Sequence, residues 1–152
     1  KLQQAWRELA DDFLNGSTYD QERVAFAIAK RANVTQSRAK TIVETETTRY
    51  FNNARREVYD ASEDVTHYLY VAIRDHVTTK WCKSRQGLVY AKADPLLDKE
   101  TPPIHWNCRS ELIPLTPANP NHLRLIQDRG RSRRHNRPEP LPAGWTGRQR
   151  AS

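Results

Sequence analysis

The sequence predicts an α+β protein: N-terminal helices including one long helix, then a small antiparallel β-containing domain and an extended basic C-terminal arm. Three observations predict it. Apolar residues recur at helical spacing as far as about Ala61. From Val65 the pattern switches to alternation, the period of a half-buried strand. After Pro117 the composition turns to Pro, Asn, Arg and Gly, which leaves too little apolar surface to offset the entropy of ordering. These shifts place a helical region at 1–62, the β-containing domain at 63–118 and the tail at 119–152.

Taken in order, Leu2, Ala5, Trp6, Leu9 and Phe13 predict a first amphipathic helix, stopped by Asn15-Gly16. Asp20 is the expected N-cap of a second helix, with Val24, Ala27, Ile28 and Arg31 on one stripe. Thr35 caps a third, expected from about Gln36 to about Ala61 with Ala39, Ile42, Val43, Tyr50, Ala54, Val58 and Ala61 as its apolar positions. No Gly or Pro interrupts it. Val65 to Ile73 then reads as a strand rich in β-branched and aromatic residues. Leu88–Ala91 after Gly87 is a second strand, and Arg109–Leu115 a third, ended by Pro114 and Pro117. The segment from Ala93 to Pro103 is charged and Pro-containing, and predicts an exposed loop.

The chain has 152 residues and a net charge of +7, and its mean hydropathy is −0.89. The charge is not evenly spread. Residues 121–152 hold eight Arg against two acids, a net of +6, which leaves +1 for the rest. The basic character therefore belongs to the tail. There is no apolar run of the roughly 18 residues a membrane span needs and no signal-peptide pattern. No Met occurs, which fits a piece of a longer polypeptide as well as removal of an initiator Met. Two cysteines are too few for a secreted disulfide framework, so a reducing environment is expected.

The most concentrated chemistry lies in Thr101–Ser110, read with Trp81-Cys82 upstream. Pro102-Pro103 removes two backbone donors and stiffens the entry, and His105 and Cys108 follow at a spacing that one turn can bring to a common point. Cys82 is the only other cysteine, and it is expected beside Cys108, the sulfurs well within about 10 Å. The favoured arrangement is a pair of buried cysteines beside Trp81 and Trp106 with His105 hydrogen-bonded, and with no metal or cofactor. The alternative is zinc on Cys82, His105 and Cys108, for which a fourth ligand is missing unless His76 supplies it; a Cys82–Cys108 disulfide is disfavoured by compartment. No catalytic residue is assigned, because a thiol nucleophile needs a base and oxyanion donors that the sequence does not identify. In the tail, Arg129, Arg131, Arg133, Arg134 and Arg137 with His135 form a run suited to phosphate or to an acidic protein surface. Residues 25–46 also have a helix-turn-helix pattern, but Glu44 and Glu46 on the second helix would repel phosphate.

Four segments together resemble one family, the Mu F-like minor head proteins of tailed phages. They are Arg38-Ala39 through Glu44-Thr45-Glu46 with Asn52 or Asn53 and Ala54 following; Asp75 with Thr78-Thr79 and Cys82; Gly87 with Tyr90; and Pro102-Pro103-x-His105-x-Asn107-Cys108-Arg109-Ser110 with Pro114. The resemblance covers roughly Gln36 to Pro117. It implies a structural, non-enzymatic protein of a phage or prophage head, oligomeric within the virion, at the head interior or portal vertex after assembly in the host cytoplasm. The implied partners are portal or major capsid protein and, non-specifically, packaged DNA; no membrane is implied. The motif residues Asp75, Thr79, Cys82, Gly87, Pro102, Pro103, His105, Asn107, Cys108 and Arg109 are then expected to be structural. The rival expectation is a nucleic-acid-binding regulator that uses residues 25–46.

Overall fold

In the computed structural model the chain is described over residues 20–118, with positions 4, 7, 124, 125 and 140 besides. Apart from those isolated positions, the helix expected over Leu2–Asn15 and the tail expected over 119–152, with its Arg run, lie outside the described residues. The elements run α1 (Gln21–Ala32), α2 (Gln36–Ala61), β1 (His67–Val71), α3 (Lys80–Arg85), β2 (Val89–Ala91), α4 (Leu97–Glu100) and β3 (Glu111–Leu115). Helices followed by a small antiparallel sheet is the fold class the sequence predicts. The chain divides into two compact units, 1–47 and 48–152.

In the first unit the caps sit where the sequence places them. The Asp20 carboxylate accepts hydrogen bonds from the Glu22 and Arg23 amides, and Glu22 in the first turn and Lys30 and Arg31 in the last complement the helix dipole. Asn33 closes α1 in the left-handed region at φ 53°, a conformation Asn tolerates better than most residues. Thr35 Oγ1 accepts from the Arg38 amide at 3.3 Å and caps α2. Ala25, Ile28, Ala39 and Val43 form a small core, with Val24, Ala29, Ala32 and Val34 around it. Of the stripe expected on α1, Ile28 is buried while Arg31 is exposed.

In the second unit the sheet order is β2-β1-β3, antiparallel throughout. Tyr68 lies opposite Tyr90 on one side and Pro114 on the other, and Tyr70 opposite Leu112. The buried face is therefore tyrosine-rich: Tyr68, Tyr70 and Tyr90 join Leu88, Leu112, Leu97 and Ile104 in the core. It is not the face of Leu69 and Val71, which stays half-buried. A buried phenol needs a partner for its hydroxyl, and each finds a different one. Tyr68 donates to Asp60 on α2 at 2.6 Å. Tyr70 lies 3.5 Å from the Cys82 sulfur on α3. Tyr90 donates to Glu100 on α4 at 3.2 Å. The three hydroxyls thus tie the sheet to the three helical segments of this unit.

Pro114 lies within β3 and does not end it. Tyr70 turns its backbone groups toward the β2 side, its amide donating to Leu88 O and its carbonyl accepting the Gly87 amide, and Tyr68, two residues earlier on the strand, shares that orientation. Opposite Tyr68, Pro114 is asked for no donor, which is the condition for proline in an edge strand.

Two expectations are corrected here. The second half of α2 does not use its apolar stripe. Tyr50 is 76% exposed and Val58 68%, and Ala54 and Ala61 are exposed as well. This half attaches through polar side chains instead. Asn52 donates to Ser110 O at 3.3 Å, Arg55 meets Glu111 at 2.7 Å, and Arg56 reaches Asp98 at 2.8 Å and Thr101 at 2.9 Å. Tyr59 is its apolar contact with the core. The segment from Ala93 to Pro103 is also not an exposed loop. It contains α4, and Leu97, Thr101, Pro102 and Pro103 are buried, because Leu97 and the following residues close the core over the tyrosine face. Among the described residues no helix is long and apolar enough to cross a membrane.

Candidate functional site

The site is assembled from the turn after β1, helix α3 and the Pro-Pro loop. Asp75 starts the turn: its carboxylate accepts the Thr78 amide at 2.8 Å and the Thr78 hydroxyl at 2.7 Å. Arg109, 34 residues later, donates to both Asp75 oxygens at 2.8 and 2.7 Å. The Thr78 hydrogen bonds, and after them Arg109, hold the Asp75 carboxyl down to about 2. The second and fourth segments of the motif are thereby latched at one end.

Helix α3 carries the second link. Thr79 precedes it in extended conformation, and Cys82 lies one turn in, buried. Pro102 and Pro103, joined by a cis peptide, bring the chain back across this helix. Asn107 occupies the left-handed region at φ 56°, so its place in the motif is that of the residue that turns the chain between His105 and Cys108. Cys108 is then also buried, 3.7 Å from Cys82 sulfur to sulfur. This meets the expected proximity. It is too long for a bond of about 2.05 Å, and both thiols are free.

His105 completes the cluster. Its Nε2 lies 3.0 Å from Cys82 Sγ and 2.9 Å from Thr79 Oγ1. Its Nδ1 lies 2.6 Å from the Trp106 carbonyl oxygen; a carbonyl only accepts, so Nδ1 carries the proton and Nε2 is directed at the thiols. The Trp81 and His105 rings are 5.9 Å apart. Trp106, expected beside the cysteines, is instead 53% exposed, and its backbone carbonyl is what meets His105. His76 is exposed and takes no part: among the described residues the metal-capable group is Cys82, His105 and Cys108, with ligand atoms within 4.8 Å of one another.

The two thiols share their protons unequally. The hydrogen bond from Cys108 is the main influence that holds the Cys82 thiol well below its ordinary value, opposed by burial and helped by His105, Ser110 and Tyr70. Cys108 is pushed up by the same contact and by burial. For His105 burial acts downward, but the Cys82 contact and the Trp106 carbonyl outweigh it and raise its value. Two thiols and an imidazole nitrogen converging in a buried site form a donor set suited to ligation of a soft ion. A shallow cleft lined by Ile73, Val77, Thr79 and Arg109, among others, reaches Cys82 and His105.

A third link was not anticipated. Arg85, the last residue of α3, is buried, with its guanidinium on the Glu100 carboxylate through both Nε and Nη2 and on the Trp81 carbonyl at 3.0 Å. Gly87 follows at φ 79°, a conformation that costs glycine nothing, and turns the chain into β2.

The family model for phage Mu protein F like proteins matches residues 4–113, most of the chain. The chain belongs to that family. As a Mu F-like protein it is a phage head-morphogenesis component, and its general location is the virion head. No curated protein and no solved structure matches it closely. The matched stretch includes every residue of the three links described above and stops before the Arg-rich run.

Proposed function

We propose that this Mu F-like protein is a minor head protein of a tailed phage or prophage, associated with portal or major capsid protein at the portal vertex or head interior. It acts as a structural part with no catalytic activity. The observation that carries the reading is the family match over residues 4–113. The geometry supports its structural side. Asp75 is bound to Arg109, Cys82 to His105 and Cys108, and Arg85 to Glu100. Motif side chains that meet each other in this way hold two segments of chain together. The Arg-rich tail suits a dense polyanion or an acidic partner surface.

The regulator reading requires α1 and α2 to act as a reading head. The two helices and their short turn are present, but α2 runs on for 26 residues and carries Glu44 and Glu46 along that length, which disfavours a phosphate-lined groove. The test is the composition of gradient-purified heads from a lysate in which this chain is tagged. It should sediment with heads at a copy number far below that of the capsid protein, and procapsids made without it should be misassembled or poorly infectious. Complete recovery in the soluble fraction, as a small dimer that retards one DNA sequence over others, would overturn the proposal in favour of the regulator.

A further inference from the structure

We propose that Cys82, His105 and Cys108 bind a zinc ion, with a solvent oxygen from the adjoining cleft as the fourth ligand. Four observations argue for it. The three ligand atoms converge within 4.8 Å, all from buried residues. In a tetrahedral site with Zn–S of about 2.3 Å the two sulfurs lie about 3.8 Å apart, and here they are 3.7 Å apart without being bonded. The sulfur-to-nitrogen edge of such a site is about 3.5 Å; Cys82 and His105 stand at 3.0 Å and need to open by only about 0.5 Å. The Trp106 carbonyl fixes the His105 tautomer from behind at 2.6 Å, the outer support that a ligating imidazole ordinarily has. Two thiolates and an imidazole form a donor set that favours zinc over hard cations.

The fourth position follows from the cleft, which touches Cys82 and His105 and is lined by the Thr79 hydroxyl. That hydroxyl, already 2.9 Å from Nε2, can hold the solvent molecule by a hydrogen bond. The role is that of a cross-link. The ion joins α3 to the Pro-Pro loop where a secreted protein of this size would use a disulfide, and it does so under reducing conditions.

The full chain, purified in reductant and dialysed into metal-free buffer, is assayed for zinc by emission spectrometry. Zinc at one per chain is expected, falling to background in the Cys82→Ser/Cys108→Ser double variant. Cobalt(II) is then titrated into the metal-free wild-type chain, a readout that does not depend on any variant folding. The expected spectrum has the strong visible bands of tetrahedral cobalt and a near-ultraviolet thiolate-to-cobalt band. His105→Ala should weaken zinc retention against a chromophoric chelator by more than the roughly 10–100-fold that outer partners are worth. Absence of zinc from the wild-type chain together with a pale, thiolate-free cobalt spectrum would overturn the proposal, as would a Cys82–Cys108 disulfide in zinc-free chain isolated without reductant.

Discussion

Single residues carry unusual weight in the smaller contacts of the second unit. Arg85 is the clearest case: its side chain is 2% exposed and that of Glu100 12%. Removing one member of a buried pair leaves the other desolvated, at a cost of about 3 kcal/mol or more. Arg85→Met should therefore lower the unfolding free energy from urea titration by that much, read as a lower midpoint at unchanged slope, and adding Glu100→Leu should restore part of the loss. If the double variant is worse than the single by a full increment, the pair is not the source of the effect. Asp75 gives a pH signature. Its folded carboxyl sits at about 2, below the roughly 3.9 of an unfolded Asp. It stabilises the fold above about pH 4, and this contribution is lost as pH falls toward 2. The stability gap between wild type and Asp75→Asn should be open at neutral pH and close across that acid window. A gap of constant size from pH 7 to pH 2 would show that the charge contributes nothing.

At the scale of elements, α2 shows what the sequence could and could not disclose. Its limits were legible, because Thr35 at the start and the uninterrupted run to Ala61 are local signals. Its second half was not. Tyr50, Ala54 and Val58 form an apolar stripe on paper, yet the side chains that meet the rest of the unit include Asn52, Arg55, Arg56, Tyr59 and Asp60. The partners of Asn52, Arg55 and Arg56 lie 42 to 58 residues away, and periodicity within a helix carries no information about them. The same holds for α3 and α4, too short at 6 and 4 residues for a helical period to register, and for Arg85, whose burial depends on a carboxylate in another element. The cysteine cluster was legible because two cysteines permit one pairing; the ring of Trp106 was not, since adjacency to a buried histidine does not fix which way a neighbour points. The polar attachment makes a contrary prediction. Asn52→Ala, which strands the buried Ser110 carbonyl, should cost about 1–2 kcal/mol, while Val58→Ser should stay within about 0.5 kcal/mol. The opposite order in denaturant titrations would mean that the apolar stripe is the packed face after all.

For the whole molecule, the chemistry of the body and that of the tail are separable. The family match ends at residue 113, and the sequence places +6 of the net charge beyond residue 120. Duplex DNA should bind weakly, without sequence preference, and be released steeply between low and physiological salt. Truncation after Arg129 should abolish this binding and leave the far-ultraviolet circular dichroism of the body unchanged. Retention of salt-sensitive binding by the truncated chain would move the polyanion surface into the body. Unfolding on truncation would make the tail part of the core.

Pro114 has a consequence for the edge of the sheet. A bare sheet edge presents unpaired amides and carbonyls, a ready template on which another chain can pair and aggregate. Here one rim of the described sheet is a strand of only three residues, and the other lacks an amide at Pro114. Neither offers the unbroken ladder that a second sheet needs in order to dock. At the described sheet a second copy is thereby denied a backbone ladder, the kind of contact that has no stopping point of its own.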